Sequence, residues 1–178
     1  MQYILCVLHF LLQPEMNIVR ANTNDIQVIQ QLAAEIWPIA YKDILSIAQL
    51  NFMLHEFYHA EAIKNQMLTK GHQFFIIKNE RDEALGFASV SHENKHRFKL
   101  QKLYVLTNYQ GQQLGVKLLN KVIEYSIENG ASKLILNVNR FNKARLFYEK
   151  QGFNIIEEVD IHIGNNYYMN DYVMERNL

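Results

Sequence analysis

The chain has a single cysteine, Cys6, and only two prolines, Pro14 and Pro38, in 178 residues. One thiol excludes an intrachain disulfide framework and any thiolate metal cluster. With so little proline and no Ser/Gly-rich stretch, nothing marks a linker to a second domain. Charge of one sign is also lacking, because eighteen basic residues cancel eighteen acidic ones. No global field would draw the protein to nucleic acid or an anionic membrane, so neither is expected as a partner. The longest apolar run, Tyr3 to Leu12, is too short to span a bilayer and lacks the basic start of a signal peptide.

What remains is a globular composition, 49% apolar and 20% charged. At this length one domain can bury about two-thirds of its unfolded surface. Strand-like alternation starts only after Met16, at Asn17-Ile18-Val19-Arg20. Residues 1–15 are therefore expected to be an apolar extension preceding the natural start, and residues 16–178 a single domain. The competing reading of the extension is an added strand or helix packed on a neighbour. The expected location is cytoplasmic.

The rest of the chain reads as alternating elements. Asn24 is placed to cap a helix from Asp25 to about Glu35, with Ile26, Ile29, Leu32, Ala33 and Ile36 as its apolar stripe and Pro38 interrupting it. A second helix is predicted from Ser46 to about Tyr58, on Ile47, Leu50, Met53, Leu54 and Phe57, and a third from Ala60 to Leu68. Strands at Gln73 to Lys78 and Ala84 to Ser91 flank a polar hairpin loop. After a central stretch described next, Lys133 to Val138 is a strand. Asn142 then caps a short helix stopped by Gly152, with Arg145 and Glu149 paired along it. Two strands, Ile155 to Ile163 and Tyr167 to Glu175, close the chain around Gly164-Asn165-Asn166. The sum is an α/β sheet with early helices and a final antiparallel hairpin.

Lys99 to Leu119 carries the chemistry. A strand, Lys99 to Val105, runs through a polar turn into Gln110-Gly111-Gln112-Gln113-Leu114-Gly115 and then a helix on Leu114, Leu118, Leu119, Val122, Ile123 and Ile127. Such a junction aims unpaired backbone N–H groups and a helix dipole at one point, favourable for a diphosphate. It has neither the Gly-Lys-Ser/Thr of a Walker loop nor the third glycine of a dinucleotide fingerprint. Within the strand, Phe98 and Leu100 are apolar at one parity, Leu103 and Val105 at the other. Either a β-bulge near Gln101-Lys102 absorbs this slip, or the strand is buried on both faces there.

Together, Leu103-Tyr104-Val105 leading into Gln110 to Gly115, and Asn142-Lys143-Ala144 leading into Phe147-Tyr148-Glu149-Lys150-Gln151-Gly152-Phe153, resemble the GNAT superfamily of N-acetyltransferases. The match runs from about Met16 to the C-terminus. It implies a mixed, mostly antiparallel twisted sheet flanked by helices, with a splayed, bulged strand pair holding acetyl-CoA. Pantetheine would pair with backbone at Leu103, Tyr104 and Val105. The N–H groups of Gln110, Gly111, Gln112, Gln113, Leu114, Gly115 and Val116 would hold the pyrophosphate, and Asn139 and Asn142 would lie along the cofactor arm. Gln113 departs from the pattern, standing where the family usually has its first motif glycine. Asn142 departs too, one residue closer to Tyr148 than is common.

The resemblance gives Tyr148 the role of general acid toward the leaving thiolate. Gln101 lies where relatives often carry a base, and an amide cannot accept a proton at neutral pH. Glu35, or His92 and Glu93, are the candidate bases acting through water; ordered water alone is the alternative. The closest likeness within the superfamily is to small bacterial polyamine-type enzymes, through Leu103 to Val105 and the ending Tyr168 to Glu175. The expected activity is acetyl transfer to a primary amine of a small, polyamine-like molecule or a peptide. Glu35, Asp43 and Asp171 are the acidic candidates for a cationic acceptor. A non-catalytic acyl-CoA-binding module is the alternative, and a homodimer is an option the superfamily brings. His55-Glu56-Phe57-Tyr58-His59 spells a zinc-peptidase pattern on a predicted helix, with Glu80 or His72 as conceivable third ligands. It is read as chance, and no metal site is expected.

Overall fold

A computed structural model describes residues 16–178; the expectation for the N-terminal extension lies outside the described residues. The strands are β1 (Asn17–Arg20), β2 (Gln73–Lys78), β3 (Ala84–Asn94), β4 (Arg97–Val105), β5 (Lys133–Asn139), β6 (Asn154–Gly164) and β7 (Tyr167–Asn177). The helices are α1 (Ile26–Ala40), α2 (Ile47–Tyr58), α3 (Ala60–Leu68), α4 (Leu114–Glu128) and α5 (Ala144–Lys150). One seven-stranded sheet runs in the order β1-β2-β3-β4-β5-β7-β6. Every neighbouring pair is antiparallel except β4 with β5. This is the mixed, mostly antiparallel sheet that the motifs implied.

Each face of the sheet has its own core. Phe75, Ala88, Val90, Phe98, Leu100, Leu134, Leu136 and Met174 meet the apolar stripe of α4 (Leu114, Leu118, Leu119, Val122) and Tyr148 of α5. On the opposite face Phe74, Ile76 and Phe87 meet Ile29, Leu32, Ala33, Ile36 and Trp37 of α1, with Leu50, Met53, Tyr58 and Ile63 from α2 and α3. A sheet covered on both faces explains why β2 reads as an uninterrupted apolar run rather than an alternating one.

Several boundaries differ from the sequence reading. Asn22, not Asn24, begins the first helical segment: its side chain accepts from the Asn24 N–H while Asp25 accepts from the Asn22 N–H, a reciprocal cap on a short 3₁₀ turn. Helix α1 then continues past Pro38 to Ala40, and Tyr41 N–H closes the last turn on the Trp37 carbonyl. A proline that near the C-terminus deprives only one carbonyl of its partner, that of Ala34, at a helix end where carbonyls are already short of donors. Ile47 is 81% exposed and Ile127 51% exposed, so neither belongs to the stripe predicted for its helix. Ser126 takes the buried position on α4 and satisfies its hydroxyl on the Val122 carbonyl.

The β3–β4 register steps from Ser89–Lys102 to Val90–Leu100, leaving Gln101 without an opposite residue. That extra residue decides for the bulge between the two readings of the phase slip, and it turns Lys102 and Tyr104 toward α1 and α2 while Leu103 and Val105 keep to the α4 face. Nearby, Gly86 lies opposite Val105. A Cβ there would stand 2.5 Å from the Tyr104 carbonyl oxygen and 3.0 Å from Val105 Cα, both backbone atoms that cannot rotate away. Gly86→Ala is therefore expected to lower stability by about 1–3 kcal/mol, read as a fall in thermal midpoint; an unchanged midpoint would show that the strands can part freely.

His72 stacks near the Phe74 ring, and its Nδ1 is buried without a partner. Burial first, then Lys102, Lys70 and Lys99, pull its pKa from 6.5 down to about 4. The folded imidazole stays neutral where the unfolded one would take a proton, so its stability contribution is complete above about pH 6.5 and lost as pH falls toward about 4. Thermal midpoints of wild type and His72→Gln should converge or cross through that window; parallel curves would contradict the assignment.

Candidate functional site

Strand β4 pairs with β5 only from Arg97–Lys133 to Leu100–Leu136, although β4 continues to Val105 and β5 to Asn139. Beyond Leu100 the facing edges diverge, while β3 and β7 remain paired on the outer edges. Backbone N–H and C=O groups on the two inner edges are thereby left for a ligand. The bulge at Gln101 falls at the point of divergence, where added twist steers β4 away.

A cleft of about 860 Å³ fills this gap and is lined from both faces of the sheet. On the α4 side stand Leu103, Val105, Gln110, Gly111, Gln113, Leu114, Gly115, Val116, Phe147 and Tyr148. On the α1 side stand Trp37, Tyr41, Tyr58, Lys99, Lys102, Tyr104, Asn137, Asn139 and Asp171, with Asn142 at the rim. Of the residues singled out for the cofactor and the acceptor, Gln112, Glu35 and Asp43 are not among the lining residues. All three are exposed, Glu35 on the face of α1 turned away from its buried stripe. His92 and Glu93 are exposed at the far end of β3. No carboxylate predicted as a base therefore borders the cleft.

The loop before α4 is shaped by two left-handed residues, Gly111 (φ 81°) and Gln113 (φ 62°, ψ 11°). Gln113 is the position where the motif favours glycine, and the backbone explains the preference. A non-glycine residue in this region costs roughly 1–2 kcal/mol. No side chain caps the helix start, so the first N–H groups of α4 face the cleft without intrahelical partners. Asn139 and Asn142 line the cleft, yet each side-chain oxygen is occupied locally. Asn139 Oδ1 accepts from Phe141 N–H at 3.0 Å and Asn142 Oδ1 from Ala144 N–H at 2.9 Å. Asn142 thus holds the turn into α5, while the cap position itself falls on Lys143, one residue later than the sequence suggested.

Tyr148 projects from α5 into the cleft wall, 8% exposed, its ring edge-on to Phe147 and Phe153. Burial, and after it the Tyr41 hydroxyl, raise its phenol above the usual tyrosine range. It therefore remains a proton donor at any physiological pH. Across the gap, Tyr41 Oη and Tyr104 Oη are 3.0 Å apart, and Trp37 packs against Tyr41, Tyr58 and Tyr104. Lys102 Nζ sits 5.1 Å from the centroid of the Tyr58 ring, a cation–π contact. Asp171 is 1% exposed; its Oδ2 lies 3.5 Å from Asn137 Nδ2, and Oδ1 has no hydrogen-bond partner. A buried carboxylate oxygen so placed costs on the order of 1–3 kcal/mol. Burial raises its pKa, an effect opposed in part by Asn137, Lys99 and Arg140.

Trp37, Tyr41, Tyr58 and Lys102 escaped the sequence reading. A signal was present for Lys102: once Leu103 and Val105 are assigned to one face of a central strand, Lys102 must occupy the other face, which helices cover. The zinc-like pattern fails at its premise. Helix α2 ends at Tyr58, and His59, in extended conformation, caps α3 by accepting from Ala62 N–H through Nδ1. The two histidine rings do lie side by side, 5.6 Å apart between centroids, but His59 Nδ1 is taken up by the cap, and among the described residues no group of three or more metal-ligating side chains is found.

The family model for the acetyltransferase (GNAT) domain matches residues 42–166, well over half the chain and spanning both walls of the cleft. The chain belongs to the GNAT acetyltransferase family. It is 31% identical over 114 residues to an uncharacterized N-acetyltransferase of Mycobacterium tuberculosis, covering 64% of this chain and 72% of that one. Over 100 residues it is 39% identical to the [ribosomal protein bS18]-alanine N-acetyltransferase of Haemophilus influenzae, covering 56% of this chain and 64% of the relative. Among solved structures, the fold is similar to the PaiA N-acetyltransferase of Thermoplasma acidophilum in complex with coenzyme A. That match has a TM-score of 0.78 and 21% identity over 92% of this chain and 99% of the other. A spermidine N-acetyltransferase chimera from Vibrio cholerae and hSSAT matches at a TM-score of 0.67 and 18% identity, over 91% and 95%. The expected special closeness to polyamine enzymes is therefore not the strongest likeness, although the superfamily assignment holds. No helix among the described residues is long and apolar enough to cross a membrane.

The left-handed loop of this GNAT chain makes a direct test. Gln113→Gly should leave coenzyme A affinity within about threefold of wild type, whereas the β-branched Gln113→Val should weaken it about tenfold or more. Equal affinities by calorimetric titration would show that the loop conformation does not matter.

Proposed function

We propose that this chain transfers the acetyl group of acetyl-CoA to a primary amine of a small molecule or a peptide, by direct attack of the amine on the thioester. The observation that carries the reading is the cleft through the sheet, with a phosphate-shaped loop on one side and a polar chamber on the other, and Tyr148 in its wall. The free edges beyond Leu100 suit the pantetheine amides, with Leu103, Tyr104 and Val105 as their partners. Gln110 to Val116 suit the pyrophosphate, Gln112 through its backbone N–H. A cleft of about 860 Å³ has room for the cofactor arm and a small acceptor together.

Tyr148 is the general acid. The N–C bond forms as the C–S bond breaks; Tyr148 gives its proton to the departing thiolate and regains one from solvent. A backbone N–H near Leu103 or Tyr104 polarises the thioester carbonyl. Glu35 stands away from the cleft, so the ammonium proton leaves through ordered water rather than to that carboxylate. Neither the ribosomal-protein enzyme nor the spermidine chimera is close enough to choose the acceptor, and a polyamine and a peptide amine are both members of the class proposed.

An acceptor screen following thiol release tests the reading. Tyr148→Phe should lower kcat by roughly 10²–10⁴-fold with coenzyme A affinity retained. Unchanged turnover would remove Tyr148 as the acid. Thermal stabilisation by acetyl-CoA with no thiol release across the panel would instead mark a binding module.

A further inference from the structure

The chamber on the α1 side of the cleft holds charges that the acetyl donor does not account for. Lys99 and Lys102 both line it, and neither has a carboxylate within ion-pair distance among the described residues. The charge of Lys102 lies over the face of Tyr58. Burial, and after it Lys70, pull the Lys102 ammonium down to about 8. His72 is kept neutral chiefly by burial and, after it, by Lys102, Lys70 and Lys99, which places the three cations near one another. On the other wall Asp171 points one fully buried oxygen at no partner. Of the two cations that act on it, Arg140 is engaged by Glu158 and Asp160 of β6, and Lys99 stays beyond ion-pair distance.

An unsatisfied carboxylate and unsatisfied ammonium groups bordering one chamber describe the complement of a ligand bearing both signs. Building on the acetyltransferase reading, we propose that the acceptor is a zwitterion, an amine that also carries an anionic group, with its ammonium held at Asp171 and its anion at Lys102 and Lys99. The same arrangement disfavours a polyamine. Any second ammonium on the acceptor would have to lie beside the lysines without a carboxylate to receive it. Like charges brought together at a partly desolvated site are a stronger discriminator than the attractive contact alone. Asp171 is thus a positioning residue for the reacting nitrogen, and Lys102 a specificity residue for the far end of the acceptor.

The proposal is tested by titrating the protein saturated with coenzyme A, by calorimetry, with ω-amino acids and α,ω-diamines matched in chain length. Acetylation of the same compounds is followed by thiol release. Amino acids should be preferred by at least about tenfold. β-Alanine and 2-aminoethyl phosphate distinguish a carboxylate from a phosphate, and preference for either over 1,2-diaminoethane supports the proposal. Lys102→Met, which keeps a long side chain over Tyr58, should erase most of the preference while coenzyme A affinity stays unchanged. Asp171→Asn should weaken both series without lowering the thermal midpoint, because it removes an unpaired buried charge. Diamines bound or acetylated as well as amino acids, no binding of either series, or a preference untouched by Lys102→Met would overturn it. Failure to bind coenzyme A at all would instead defeat the acetyltransferase reading on which it rests.

Discussion

Two parallel strands that stop pairing after four residues are the constraint on which the rest of the site depends. A buried sheet cannot leave backbone groups unpaired without cost, and the divergence of β4 from β5 is tolerated because the exposed edges border a cleft rather than a packed core. The bulge at Gln101 begins the divergence, and the outer strands β3 and β7 hold each half in place. The side-chain consequences follow from the same slip. One residue more in β4 sends Lys102 and Tyr104 to the α1 face and leaves Leu103 and Val105 against α4. A strand without the bulge would reverse that distribution and put a lysine into the α4 core.

The two faces then specialise. The α4 side is backbone chemistry: a left-handed Gln113, a left-handed Gly111 and a helix N-terminus present N–H groups whose positions no rotamer can alter. The α1 side is side-chain chemistry: three tyrosines, a tryptophan, two lysines and Asp171, packed by aromatic contacts and one hydroxyl–hydroxyl bond. Tyr148 sits where the two meet. Its burial keeps the phenol protonated, the state a donor to a thiolate requires.

Local chemistry was readable along the chain wherever one residue decides the outcome. The phase slip in β4 named a bulge as one of its two readings, and Asn142 marked the turn into α5. Gly164-Asn165-Asn166 located the last hairpin, whose two asparagines adopt positive φ of 52° and 57°. Where the outcome depends on what packs from elsewhere, the sequence was silent. Nothing in α1 says that Pro38 falls late enough in the helix to be harmless. Nothing in the pattern of α2 says that Ile47 faces solvent, because that is decided by where α1 and the β6–β7 hairpin end. Glu35 and Asp171 were equal candidates as acidic groups; only assembly of the sheet turned one outward and buried the other beside Asn137. Tyr41 and Tyr104 come from segments far apart in the sequence and share a hydroxyl–hydroxyl bond only in the folded chain.

A passage lined from both faces of a sheet has a consequence for how such a protein changes over time. On the proposed reaction, donor recognition would rest on the backbone of one loop and one strand, where substitutions are nearly invisible unless they alter φ, as at Gln113. Acceptor recognition would rest on side chains of α1, α2, β4 and β7, each of which can be exchanged singly. The thickness of the sheet separates the two vocabularies. A lineage can therefore rewrite what it acetylates, one side chain at a time, while the source of the acetyl group is inherited intact.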